Sequence, residues 1–135
     1  MKKLLIISSL LFCQLALAEV AVIVHPSNNN QLDEATISKI FLGREKSFAD
    51  GQSVVPLALA DAAPASSAFN DAVLKKSSSQ LKAYWSKLVF TGKGTPPKEI
   101  GSDEEMLKLV ATNPSVIGYV DASKVDASVK VALKF

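Results

Sequence analysis

The sequence predicts an α/β fold: one layered domain in which helices flank a mixed β-sheet. Val20–Val24 is an unbroken apolar run of the kind a sheet buries on both faces. Apolar residues then recur at helical spacing in separate stretches, while shorter apolar or alternating segments return at 116–120 and 129–135. The resulting order is strand, helix, strand, three helices, strand, strand, which packing of helices onto a sheet accommodates.

The first strand reads as a central strand of a parallel sheet, and the polar run His25-Pro26-Ser27-Asn28 ends it. Asp33 is placed to cap a helix carrying Ile37, Ile40 and Phe41, with Gly43 as its stop. Asp50-Gly51 turns the chain into a strand over 54–59. Pro56 has no N–H to give a ladder, which puts that strand at or near a sheet edge. Pro64 suits a first helical turn, and Phe69, Val73 and Leu74 form the buried stripe behind it. The segment 75–79 ends that helix and caps the next. Leu81, Tyr84, Trp85, Leu88 and Val89 then give the strongest amphipathic pattern in the chain, predicting a core helix with Trp85 buried, and Gly92 closes it. Ser102-Asp103-Glu104-Glu105 has the form of a capping box for a helix through Met106, Leu107 and Val110, ended by Asn113-Pro114. In the last segment Val129, Val131, Leu133 and Phe135 alternate with Lys130, Ala132 and Lys134, predicting a strand with one wet face.

Residues 1–18 follow the pattern of a secretory leader: Lys2 and Lys3, an apolar run from Leu4 to Leu17, then Ala16 and Ala18 before Glu19. The expected mature domain is 19–135, located in the periplasm. The leader's apolar run falls short of the roughly 20 residues of a membrane-spanning helix, so no membrane insertion is expected after cleavage. Cys13 follows Phe12 rather than the small residue a lipid-attachment site requires. It is the only cysteine, so the mature domain is expected to have no disulfide and to depend on packing. Without Lys2 and Lys3 the 15 basic residues become 13, equal to the 13 acidic ones. A neutral chain offers no electrostatic basis for binding nucleic acid.

Ligands of open α/β sheets sit beyond the carboxyl ends of the strands, near helix N-termini. That rule selects the loops 25–30, 60–67 and 121–124. The first two carry His25, Ser27, Asn28, Ser66 and Ser67, side chains able to hydrogen-bond an anion, although Ser and Asn are also ordinary loop and cap residues. His25 is the only histidine and no cysteine remains after cleavage, so neither a metal site nor a cofactor is expected. No nucleophile elbow accompanies His25, which argues against an enzyme. Gly92-Lys93-Gly94-Thr95 lacks P-loop spacing and follows a helix rather than a strand. Asp103, Glu104 and Glu105 suit a helix's first turn as well as they would calcium.

The blocks Ile40-Phe41-Leu42-Gly43, Tyr84-Trp85, Phe90-Thr91-Gly92-Lys93-Gly94-Thr95-Pro96-Pro97 and Ile117-Gly118-Tyr119-Val120 resemble the phosphate-type periplasmic substrate-binding family. The resemblance runs over nearly all of 19–135. It implies two α/β lobes in full-length relatives, an oxyanion such as phosphate held between them, and delivery to an ABC importer. This chain is about one lobe long, so the resemblance implies a single substrate-binding-protein-like lobe, a short branch of the family. One lobe supplies half a cleft unless a second copy or another protein adds the other wall. Ala63 and Ser66 stand where the resemblance leads one to expect a hydroxyl and a guanidinium, and no serine replaces an Arg fork. Two readings follow. One is a domain binding a small oxyanion at Ser66 and Ser67 with Ser27 and Asn28 opposite; the other is an adaptor that kept the fold and contacts an envelope protein.

Overall fold

The computed structural model describes residues 19–135, so the expected leader lies outside the described residues. The elements are β1 Val20–Val24, α1 Glu34–Phe41, β2 Val55–Leu59, α2 Pro64–Phe69, a π-helical turn Asn70–Leu74, α3 Ser78–Phe90, β3 Lys98–Ile100, α4 Asp103–Thr112, β4 Val116–Asp121, a 3-10 turn Ala122–Lys124 and β5 Lys130–Lys134. They form an α/β fold on one mixed sheet, ordered β3-β2-β4-β1-β5.

Strand β1 is fully covered on both faces, as its apolar run predicts, yet it runs antiparallel to both β4 and β5. The expectation of parallel neighbours is therefore corrected: an unbroken apolar run reports helices on both faces, not strand direction. Those faces are identified by β4. Gly118 meets Met106 of α4, whereas the adjacent Tyr119 meets Phe69 of α2 and Phe41 of α1. Successive strand residues point to opposite faces, so α4 covers one side and α1 with α2 the other.

Pro56 sits where the sheet tolerates it. Strand β3, which has no counterpart in the predicted order, pairs in parallel with Leu57 to Leu59 only, so β2 is next to the edge and Pro56 lies before the β3 ladder begins. In β5 a bulge opposite Val22 and Ile23 breaks the expected alternation. Leu133 pairs with Val22 but Val131 pairs with Ile23, which turns Val131 to the opposite face, where it is exposed.

The largest correction concerns α3. Ser77 and Gln80 cap it reciprocally, as a capping box does, but none of its residues is buried. Trp85 is half-buried, resting its ring against Gly43 and Gly94, and the Tyr84 hydroxyl donates to the Leu42 carbonyl at 2.6 Å. Beyond these attachments the helix stands off the sheet, with Val89 and Phe90 exposed.

Candidate functional site

Strand direction decides which predicted residues meet. Strands β2, β3 and β4 run in parallel, so Leu59, Ile100 and Asp121 end at one edge of the sheet. Val20 pairs with Asp121 and Val24 with Ile117, so β1 ends at the other edge. His25, Ser27 and Asn28 are thus separated from Ser66 and Ser67 by about the length of a five-residue strand, roughly 15 Å. The two groups do not form one site.

At the β1 end, side chains bond mainly to one another. The Ser27 hydroxyl and backbone N–H both lie against His25 Nδ1, at 2.7 and 3.1 Å. Asn28 is buried; its Oδ1 accepts from the backbone and side chain of Asn30, and its carbonyl accepts from Lys130 Nζ at 3.0 Å. Asn30 in turn bonds Asp50. These contacts tie the loop after β1 to the turn before β2 and to the start of β5.

The other edge carries a cleft of about 690 Å3 between α3 on one side and β2, α2 and the π-turn on the other. Its floor is an aromatic cluster: Phe69 stacks on Tyr119 at 4.1 Å between ring centroids, and Phe41 meets Phe69 edge-on at 4.7 Å. The Tyr119 hydroxyl accepts from the Leu59 N–H at 3.2 Å and donates to Ser66 Oγ at 3.3 Å. Burial pushes that hydroxyl above the usual tyrosine range, opposed by those two hydrogen bonds and reinforced by the carboxylates of Asp61 and Glu99. Ser66 is therefore a buried partner of Tyr119, while Ser67, one position on, is exposed.

The helix behind β2 begins with Ala63 as an N-cap that lends no side-chain hydrogen bond, and Pro64 follows without an N–H. Ala65 in the first turn has an N–H with no acceptor one turn earlier. Asp61 stands in the loop just before, its Oδ2 accepting from the Ser78 hydroxyl of α3 at 3.1 Å. In the third loop the Asp121 carboxylate is occupied by the Ser123 N–H and hydroxyl, at 2.9 and 2.7 Å, and these bonds hold it below the usual range. Among the described residues no cluster of His, Cys, Asp and Glu is arranged to hold a metal ion, and no helix is long and apolar enough to cross a membrane.

Sequence reasoning missed Asp61, Tyr119 and Asn70. Asn70 is only 8% exposed, lines the cleft, and its carboxamide makes no hydrogen bond among the described residues. A signal for it was present. Asn70 lies four residues after Ser66 and beside Phe69, on the stripe of the helix that Phe69, Val73 and Leu74 mark as buried.

The fold matches that of solved phosphate-type substrate-binding proteins over 84% of this chain. The chain is similar to the structure of a protein from Clostridium perfringens described as a phosphate ABC transporter substrate-binding protein with bound phosphate, with a TM-score of 0.66 and 20% identity over 84% of this chain and 44% of that one. It is also similar to an ABC-type phosphate transport receptor from Vibrio cholerae, with a TM-score of 0.65 and 17% identity over 84% of this chain and 46% of that one. For PstS from Borrelia burgdorferi the TM-score is 0.61 and the identity 14%, over 84% and 47% of the two chains. The chain thus spans less than half the length of each. No protein-family profile matches it, and no curated protein sequence does.

Proposed function

We propose that the protein is a periplasmic, non-enzymatic substrate-binding-protein-like module that binds a small oxyanion, phosphate or a close chemical equivalent, at the turn between β2 and α2. The observation that carries this reading is the convergence at one edge of parallel strand ends, the first turn of α2, exposed Ser67 and the Asp61 carboxylate. Asp61 gives the site a chemical preference. A carboxylate accepts hydrogen bonds, which phosphate at neutral pH can donate through its remaining hydroxyl and sulfate cannot. With no guanidinium at the turn, the oxyanion relies on neutral donors and the helix end, giving a dissociation constant of roughly 1 μM to 1 mM.

Calorimetry with phosphate and sulfate tests this. Phosphate is expected to bind in that range and more tightly than sulfate, and Asp61→Asn is expected to narrow the difference. An Arg at Ser66 would have to enter the packing of Phe69 and Tyr119, so the gain from a guanidinium is expected at the exposed neighbour: Ser67→Arg tightens phosphate by about 1.5 to 3 kcal/mol. Absence of heat from either anion at about 10 mM would remove the oxyanion reading.

A second reading is an adaptor that uses this fold to contact an envelope protein or a second copy of itself. The open apolar cleft and Phe90, 92% exposed at its rim, favour it. Crosslinking through a photoreactive residue at position 90 tests it, a single defined partner being the expected product.

A further inference from the structure

The β2–α2 turn by itself offers an anion neutral donors and no cation. Residues 62–70 carry no charge, and Asp61 just before them is negative. An oxyanion held there meets a carboxylate that nothing in the same segment offsets. The offsetting charge has to come from another element.

Helix α3 is tied to the turn at its first residue. Ser78 Oγ donates to Asp61 Oδ2 at 3.1 Å, while Oδ1 of the same carboxylate accepts no hydrogen bond among the described residues. Lys82 lies four residues further on, on the same face of the helix, and both side chains line the cleft together with Asp61 and Ser66. One helical turn advances roughly 5.4 Å, a span that the four-carbon stem of a lysine covers. Lys82 is exposed, forms no ion pair among the described residues, and is the only basic residue among those lining the cleft. Asp61 takes the Ser78 hydroxyl rather than the ammonium, which leaves the N–H groups of Lys82 free for an anion.

We propose that α3 forms the second wall of the oxyanion site: Lys82 donates to the oxygens of the bound phosphate, and Ser78 holds Asp61 so that its free Oδ1 accepts the phosphate hydroxyl. Ser78 is a positioning residue, acting through Asp61, whereas Lys82 touches the anion itself. This division of roles rests on the oxyanion reading above and deepens it by assigning the charge and the orientation to a different element. Being exposed, Lys82 contributes modestly, and the dissociation constant stays within the range already given.

Phosphate calorimetry on variants of the purified protein separates the two roles. Lys82→Met should weaken phosphate about fivefold, the loss of one exposed charge contact, and Lys82→Arg should bind as the wild type does. Lys87→Met makes the same charge change on the same helix but away from the cleft, and should leave the affinity unaltered. Ser78→Ala should weaken phosphate about threefold, the loss of one exposed hydrogen bond, and Ser78→Thr should restore it. With Asp61→Ala already present, Ser78→Ala should have no further effect, because no carboxylate is left to position, while Lys82→Met should still weaken phosphate. Melting temperatures are expected to stay at the wild-type value for the Lys82 and Ser78 variants, since both side chains are exposed. The proposal is overturned if Lys82→Met binds phosphate as the wild type does, if Lys87→Met weakens it equally, or if Ser78→Ala acts the same with and without Asp61. It is also overturned if Ser78→Ala lowers the melting temperature and Ser78→Thr does not restore binding, the pattern of a residue that only fastens α3. Wild-type binding that none of these changes alters would leave the anion on the β2–α2 turn alone, so that the oxyanion reading stands and the role of α3 falls. No heat from the wild type would remove both.

Discussion

Helix α4 lies on the sheet and α3 stands beside it, although α3 is the longer and the richer in large apolar side chains. The difference lies in what each finds opposite. Under α4 the sheet provides Gly118, whose missing side chain leaves the space that Met106 fills, and Met106, Leu107 and Val110 are all buried. Beside α3 the glycines Gly43 and Gly94 leave room for the Trp85 ring. The rest of its stripe faces the cleft. A helix is drawn into a core by a complementary surface, and an apolar stripe supplies only half of that.

This contrast is open to direct measurement by denaturant unfolding. Met106→Ala, at a fully enclosed site, should cost about 2 to 5 kcal/mol and lower the midpoint more than any change on α3. Trp85→Ala should cost about 2 kcal/mol, below the 3 to 5 typical of an enclosed tryptophan; a loss at the top of that range would mean that α3 is anchored as firmly as α4. Gly43→Ala should cost about 1 to 2 kcal/mol, because φ is +72° there and the added methyl lies 3.0 Å from Trp85 Cη2. Phe90→Ser should stay within about 0.5 kcal/mol of wild type, whereas a bound partner would make the same change costly in the complex alone.

The smallest effect is expected at the start of α4. Burial, helped by the nearby Asp121 charge, raises the Asp103 pKa above its ordinary value. A raised folded-state pKa means the folded protein holds that proton more tightly than the unfolded chain. Stability from this group is therefore present at acid pH and is lost as pH rises through the folded pKa. Asp103→Asn should then stabilise slightly at pH 7 and lose that advantage near pH 3. An equal effect at both values would exclude the charge as its cause.

Much of the fold was readable in residues because periodicity and capping are local. Asp33, Ser77 and Ser102 accept N–H groups at the helix starts where the sequence places them, and the strands at β1, β2, β4 and β5 fall in the apolar or alternating segments. Strand direction is not local. Nothing in Val20–Val24 distinguishes antiparallel from parallel neighbours, and that single unknown placed Ser27 and Asn28 opposite Ser66. Strand β3 escaped because Lys98-Glu99-Ile100 buries one side chain and is too short to show a period. The edge holding the β2–α2 turn was readable from the strand-end rule alone. The cleft was not, because it arises where α3 fails to close on the body.

The two outer main-chain bonds of the sheet, from the Val20 N–H to the Phe135 carbonyl at 2.8 Å and back at 3.0 Å, set the order in which the domain becomes whole. In synthesis from the amino end, β1 appears before the other described elements, and among these it pairs only with β4 and β5, contributed by residues 116–134. Its five apolar side chains must wait for about a hundred residues to follow before they have a sheet to join. Such distant pairing makes for slow folding, and until it is complete the most apolar strand of the domain is exposed to whatever binds unfolded chains.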